Sequence, residues 1–463
     1  MKHIITIIAA FMFSILFYDK HIGLNLSIFS LITIALLAFY NPKRMKNKTV
    51  LLTVLAYLLT AIAVFIQHTS LSIIANCAVF FTLVGVVSEH KTSIYVHWLN
   101  GLYTSIAGFF HRSFGIDKDT EKVSLKKDID VWHWAKLIGI PAVFIVVFVL
   151  LYKNGNPMFN DLINKINFDF INLQWILFSV LGYYLFSNIS RPIQVEPATS
   201  ADLKTSNILS KPETISEEKL KKEKQLGTTL IGLLNTLIIF YIITDIASLV
   251  STELSSAPAL SSQVHSGINA LIASIVIAIV IILYFFRGDL NFYSENKTLK
   301  NLTYLWIILN IVLVALIAIK NHNYISSFGL TYKRIGVNVY ILLTLIGLIT
   351  TFLKVMSVKN LVYLFRINTQ FAFVILIALS TINWDKTITE YNIHKAKSFD
   401  IDYLIKLTDN NAIQLYDALD ELNISNQNEQ RIREKYDRYL GDLLSKTWQE
   451  SNYDYYSVVL KRL

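Results

Sequence analysis

The stretch "VHSGINALIASIVIAIVIILYFFRGDLNF", Val264–Phe292, decides the fold class. Between Gly267 and Phe286 no residue carries a formal charge; His265 stands before the run, and Arg287 and Asp289 follow it. A hydrocarbon core about 30 Å thick is crossed by about twenty mostly apolar residues in a helix. The run is continuous rather than alternating, which argues against a strand of a membrane barrel. A single run of this kind is also compatible with a buried core helix. The chain, however, holds about a dozen comparable runs, and helices of that number and length are a membrane pattern.

Composition agrees. Hydrophobic residues make up 54% of the 463 and charged residues 16%, against about 25% charge in a soluble domain. The mean hydropathy is +0.47. The fold class is therefore all-α: a polytopic helical membrane protein. Spans are predicted over 4–18, 22–39, 50–67, 71–87, 134–151, 171–188, 227–248, 266–286, 302–319, 335–353 and 361–380. The stretch 92–110 is a doubtful twelfth, because it holds His97, Asn100 and two glycines; it reads as interfacial or re-entrant as readily as spanning. The N-terminus, "MKHIITIIAAFMFSILFYDKHIG", lacks a clean small-x-small cleavage site and reads as a retained first helix.

Four regions follow. Residues 1–189 form an N-terminal membrane half, 190–224 a polar linker, 225–381 a C-terminal membrane half and 382–463 a small helical tail. The linker holds three of the seven prolines and reads as a flexible cytoplasmic tether. In the tail, Asp400 and Asp402 precede an apolar-periodic turn, and Asp409 reads as the N-cap of a helix from Asn411. Ile432, Tyr436, Tyr439, Leu440 and Leu443 fall on one helical face.

Lysine and arginine in the connections set orientation. With eleven spans and the N-terminus inside, the inner segments collect Lys43, Arg44, Lys46 and Lys48, the basic residues of 190–224, and Arg287, Lys297 and Lys300. The outer loops hold only Lys20, Lys153, Lys165, Lys320, Lys333 and Arg334. The expected location is the bacterial cytoplasmic (inner) membrane, with the N-terminus cytoplasmic and the tail extracytoplasmic. The same bias accounts for most of the net charge of +9. No concentrated basic domain with interleaved aromatics remains, so a nucleic-acid partner is not expected.

Four stretches carry a resemblance: "GLLNTLIIFYIITD" (232–245), 264–288 of the opening stretch, "FGLTYKRIGVNVY" (328–340) and "INWDKTITEYNI" (382–393). Over about 225–425 the chain resembles a bacterial family of multi-pass membrane proteins known as a domain of unknown function. The family pattern falls on Asp245, His265, Gly267, Arg287, Gly288, Gly329, Leu330, Thr331, Arg334, Asn383, Tyr391 and Asn392. The resemblance implies a membrane protein and brings no activity with it.

The candidate functional cluster lies on the outer rim. Asp245, His265 and Arg334 each sit at the outer end of a predicted span, Glu253 lies in the loop between, and Asn383 and Tyr391 open the tail. Ionisable groups in a bilayer are costly and often functional. The competing reading is interfacial snorkelling with a capping carboxylate. Asn76, Asn235 and Asn310 lie deeper and read as hydrogen-bonding glue between helices.

Enzyme motifs are absent from the sequence: no phosphate loop, no HExxH and no GxSxG. With one cysteine, Cys77, no intrachain disulfide or cysteine metal site is available. The histidines of "HWLNG", "HRSFG" and "WHW" lack a matching ligand frame, so neither a metal nor another cofactor is expected. Membrane lipid is the expected partner, with other envelope proteins reached through the tail. Two roles compete: a non-enzymatic envelope sensor, assembly or maintenance protein, or a transporter or channel-like protein for a small solute or ion.

Overall fold

The computed structural model describes residues 2–113, 131–159, 172–211, 216–251 and 257–462. The described residues are helical, with one isolated β-bridge, Ile208 to Lys359, and no strands. The first half comprises α1 (Lys2–Phe17), α2 (Leu24–Tyr40), α3 (Lys48–Gln67), α4 (Ser70–Ser88), α5 (Ile94–Ser113), α6 (Val131–Gly155) and α7 (Leu173–Ser190). A short α8 (Ala198–Lys204) lies in the linker. The second half comprises α9 (Glu217–Ser251), α10 (Ala257–Phe285), α11 (Lys297–Phe328), α12 (Tyr332–Met356) and α13 (Leu361–Ser380). The tail carries α14 (Trp384–His394), α15 (Ile401–Lys406), α16 (Ala412–Asp417), α17 (Asn426–Ser445) and α18 (Tyr453–Arg462).

Six described helices are long and apolar enough to cross a membrane: Lys48–Gln67, Ser70–Ser88, Glu217–Ala247, Lys297–Phe328, Tyr332–Met356 and Leu361–Ser380. Shorter apolar helices include His3–Phe17, Leu24–Tyr40 and Ala270–Phe285, the last within the opening stretch. Their starts are marked by side-chain caps: Asn47 before α3, Thr69 in a capping box before α4, Thr331 before α12 and Asn360 before α13.

Each half has its own core. Leu37, Tyr57, Val64, Leu83 and Phe186 are fully buried in the first; Ile231, Ile275, Ile282, Leu299 and Leu348 are fully buried in the second. Helix α13 joins them. Its Ile377 packs into the first-half core, while its Asn368 accepts a hydrogen bond from Thr350 of α12 (3.2 Å).

Hydrogen bonds sort the helix ends onto two faces. On one, the tail face, the N–H groups of Leu24 and Asn25 donate to the carbonyls of Ser451 and Gln449. On the other, the linker face, Asn41 donates to the Ser190 carbonyl and Arg44 to those of Val87 and Ser88. The doubtful stretch 92–110 belongs to α5, which starts and ends on the linker face. At its start the Ser93 N–H donates to Asp202, and at its end Arg112 donates to the Arg191 carbonyl. Both partners lie in the segment leaving α7. Midway, α5 crosses α4 backbone on backbone: a Cβ at Gly85 or Gly101 would fall on the carbonyl oxygen of His97 or Phe81. Glycine permits that approach.

Two expectations need correction. The supposedly flexible stretch 190–224 is folded over 191–211. Its polar side chains are spent on bonds to both halves, so the composition that suggests solvation instead serves contact. In the tail, Asp409 does not cap a helix from Asn411; it opens a 3-10 turn and pairs with Arg438, and α16 starts at Ala412. Asp400 does cap, accepting the Tyr403 N–H. On α17 the buried stripe is Ile432, Lys435, Tyr439 and Leu443. Lys435 enters it because its ammonium caps the carbonyls of Ile405 and Leu407 (3.0 and 2.9 Å). Tyr436 stands beside the stripe, stacked on Tyr416.

Candidate functional site at the two faces

The tail face holds most of the expected cluster, in a different pairing. Asp245, on α9, is nine-tenths buried and meets Lys320 of α11 (Oδ1 to Nζ 2.5 Å), not Arg334. The Tyr241 hydroxyl, one turn earlier on α9, also donates to Oδ1 (3.4 Å), and among the described residues nothing donates to the buried Oδ2. Lys320 supplies the counter-charge because it reaches the same level on the neighbouring helix.

Arg334 is held elsewhere. Its guanidinium lies over the Tyr324 ring, 3.9 Å from the centroid, and donates to the carbonyls of Phe328 (2.7 Å) and Gly329. It thus satisfies the orphan carbonyls at the end of α11, where a cation also suits the helix dipole. The expected meeting of Asp245, His265 and Arg334 is not formed as a cluster around Asp245. Of His265 only the helical backbone is described, and Glu253 lies outside the described residues.

Asn383 and Tyr391 belong to the contact between tail and bundle. Asn383 caps α14 by accepting the Lys386 N–H (3.1 Å), and its amide donates to the Gln67 carbonyl of the first half (3.2 Å). Tyr391 packs against the core shared by Ile325, Leu330 and Ile335 of the second half with Ile388, Leu404 and Leu415 of the tail. In the same contact Asn392 is locked to Leu330: its Oδ1 accepts the Leu330 N–H and its Nδ2 donates to the Leu330 carbonyl (3.0 Å). Buried Asp385 accepts the hydroxyls of Tyr332 (2.7 Å) and Thr408. The stretches "FGLTYKR" and "NWDKTITEYNI" are therefore two sides of one interface.

A second tail contact reaches the first half. Asp454 accepts Lys386 (2.8 and 2.9 Å) and the Tyr439 hydroxyl (2.9 Å). Burial, then the charge of Asp454, pushes that hydroxyl's pKa up. The Glu450 carboxylate accepts the His21 N–H and both the N–H and the hydroxyl of Thr447. Burial works to raise its pKa, but those bonds and the charge of Lys20 outweigh it and hold Glu450 at about 2. His68, the C-cap of α3, sits nearby with Nδ1 buried and unbonded. Burial and then the charge of Lys446 lower it to about 4, against the pull of Asp454 and Asp442.

On the linker face a third contact closes the seam. Arg366 of α13 donates to Asn207 Oδ1 (2.7 Å), the Thr205 carbonyl (3.0 Å), Asp202 Oδ1 (3.1 Å) and the Asp202 carbonyl. Asp202 also accepts the Ser93 N–H (2.7 Å) and the hydroxyls of Ser93 (3.0 Å) and Tyr95 (2.9 Å). Burial works to raise the Asp202 carboxyl, yet the bonds from Ser93, Tyr95 and Arg366 keep it below its usual value. One carboxylate thereby joins α5 of the first half to α13. Lys354 makes a related capping bond inside the second half, donating to the Phe286 carbonyl at the end of α10 (2.6 Å).

Most of these groups bond to one another or to backbone and are arranged to hold elements together; Asp245 Oδ2, His68 Nδ1 and Arg366 Nε are left without a partner among the described residues. Among the described residues no three His, Cys, Asp or Glu side chains converge in a metal-binding group. Asp385 falls among the outer-face residues the sequence brings to the start of the tail, whereas Lys320, Asp202 and Arg366 were missed from sequence as site residues. Only Arg366 gave a signal, as a charge inside an apolar run.

Compared with known proteins, the chain matches one family model, described as a domain of unknown function (DUF4153), over residues 7–418. The match takes in most of the N-terminal half as well as 225–418 of the stretch that carries the resemblance. No curated protein and no solved structure matches the chain.

Proposed function

The chain belongs to the DUF4153 family, and from that premise and its apolar helices we propose a non-enzymatic envelope sensor, assembly or maintenance protein of the bacterial inner membrane. In this reading the chain crosses the membrane eleven times, with α5 resting on the cytoplasmic face. The N-terminus and linker are cytoplasmic, and the tail is extracytoplasmic, following the basic residues.

One observation carries the role: the tail is fastened to both membrane halves at once. It bonds to α2 through Ser451 and Gln449, to the α3–α4 turn through Asn383, and to the start of α12 through Asn392. A load or partner on the tail would therefore act on both halves together. Transport by rocking one half against the other would break these bonds and, on the opposite face, those of Asp202 and Arg366. That makes a transporter the weaker reading.

Reporter fusions at Asn207 and Asn426 are expected to report opposite compartments; the same compartment for both would refute the topology. For the role, a deletion strain is grown under osmotic, detergent and cell-wall stress. The complementing chain carries Ile208→Cys, Lys359→Cys and Cys77→Ser, closed by a membrane-permeant bismaleimide. Ile208 and Lys359 form a β-bridge, so the cross-link fits the native pairing. Sensitivity of the deletion strain, rescued equally with the link open or closed, supports the reading. Failure only when closed, or solute flux by the pure protein in liposomes, overturns it.

A further inference from the structure

An open groove of about 500 Å³ runs along the second half between α9, α10 and α11. It extends over Leu234–Tyr241 on α9 and Ala270–Ile281 on α10, with Asn310 and Leu313 of α11 in its wall. At 1.5 Å per residue the α10 side is about 16 Å long, close to half of a hydrocarbon core of about 30 Å. The groove straddles mid-depth: its linker-side end is at Ile281 of α10 and Trp306 of α11, and its tail-side end is at Ala270 of α10 and Tyr241, its last α9 residue. One turn beyond, the Tyr241 hydroxyl reaches Asp245, and Asp245 holds Lys320. Lys320 is 22% exposed. An ammonium carries three donors, and among the described residues Asp245 is the one hydrogen-bond partner of this one.

We propose that this groove binds one acyl chain of a phospholipid from the tail-side leaflet, with the lipid phosphate on Lys320. Three features converge on that occupant. The walls are apolar and run from past mid-depth to the tail side, a path for an acyl chain that enters from that side. The cation stands at the end where a headgroup begins. The carboxylate beside it fixes the lysine at the rim, leaving donors for a charge-assisted bond to a phosphate oxygen. A phospholipid uses both parts at once, whereas a bare acyl chain leaves the cation unused. The site depends on the chain lying in a membrane, not on the role proposed above.

The test uses the full chain purified in maltoside detergent and washed by extended detergent exchange. Palmitoyl-oleoyl phosphatidylglycerol, or the diacylglycerol lacking its phosphate headgroup, is then added back, and bound lipid is counted by native mass spectrometry. Retention of one phosphatidylglycerol per chain, in preference to the diacylglycerol, is expected. Ala270 is exposed and lines the groove, so Ala270→Trp fills it without displacing a buried residue and should lower retention roughly tenfold. Asp245→Asn with Lys320→Gln keeps a neutral pair and should reduce phosphatidylglycerol to the diacylglycerol level. Helix content and elution must match the parent; where Ala270→Trp fails that control, Ile277→Trp, also exposed and lining, is read instead. The proposal is overturned by no retention, by equal retention of the two lipids, by retention unchanged in the filled groove, or by a dimer that the filling residue dissolves.

Discussion

Replacing Gly329 by alanine is expected to release the tail from the second half. Gly329 ends α11 at φ 81° and ψ 176°, a region that only glycine enters without strain, and holding another residue there costs of order 1–3 kcal/mol. The side chain adds a second cost. Its Cβ would lie 2.5 Å from Asn392 Oδ1 and 2.9 Å from Cγ, so Asn392 must move. Asn392 is 2% exposed and exchanges two hydrogen bonds with the Leu330 backbone. Leaving such buried groups unmatched costs about 1–3 kcal/mol. Together the loss is about 4 kcal/mol, a roughly thousandfold rise in undocked tail. The assay is limited proteolysis of the tail in liposomes, under conditions where cleavage follows the open population. Asn392→Ala alone should cost about 2 kcal/mol. The double variant should cost about as much as Gly329→Ala alone, because the clash has no partner left; the shortfall from additivity is then about 2 kcal/mol. Cleavage of Gly329→Ala at the parent rate, or strict additivity in the double variant, would refute the reasoning.

Two other outcomes follow from the remaining contacts. Arg366→Leu strips Asp202 of its cation while leaving the carboxylate buried; breaking such a pair costs about 3–5 kcal/mol, and protease cleavage within 203–211 should accelerate with the tail unaffected. Tail docking should weaken in acid through His68, whose value falls from 6.5 to about 4 on burial: an undocked imidazole takes a proton below about pH 6.5 while the docked one resists until about pH 4, so stability is full above pH 6.5 and drops by up to about 3 kcal/mol as pH falls to 4. Glu450, held at about 2, contributes stability that is lost only below about pH 4.5, so His68→Asn should flatten the proteolysis profile between pH 6.5 and 4.5.

The fold class was legible because a bilayer constrains sequence strongly. Twenty uncharged residues from Gly267 to Phe286 fit few structures besides a membrane span. The pairing of charges was not legible. Asp245 and Lys320 are far apart in sequence, and depth alone gives Asp245 no preference between Lys320 and Arg334. What removes Arg334 is local: Gly329 turns the chain so that two carbonyls face the guanidinium, and Tyr324, one helical turn before Phe328, presents its ring. The linker misled for a similar reason. Serine, threonine, asparagine and aspartate bring the same polarity to a solvated tether and to a segment folded against helix ends, and only the partners distinguish them. Lys435 misled because a charge normally marks the wet face of a helix, whereas here two orphan carbonyls make the buried face hospitable.

The placement of polar contacts follows from the solvent of each layer. Within hydrocarbon, apolar helices gain little by leaving lipid for one another, so close packing and hydrogen bonds must hold them together. Each half solves this with its own interlocked core. Between the halves the apolar contact runs through α13, one helix wide, which alone gives little resistance to hinging. The bonds that oppose hinging lie at the two ends of that helix. Arg366 and Asp202 tie its linker-side end to α5, and Asn383 with Gln67 ties the chain just beyond its tail-side end to α3. Two fastenings at opposite ends of one helix oppose rotation as well as separation, which either one alone would leave free. The tail then adds a span from α2 to α12 across the same seam. Loosening one face should therefore leave the halves joined but able to pivot, and only loosening both should let α13 part from the first-half core around Ile377.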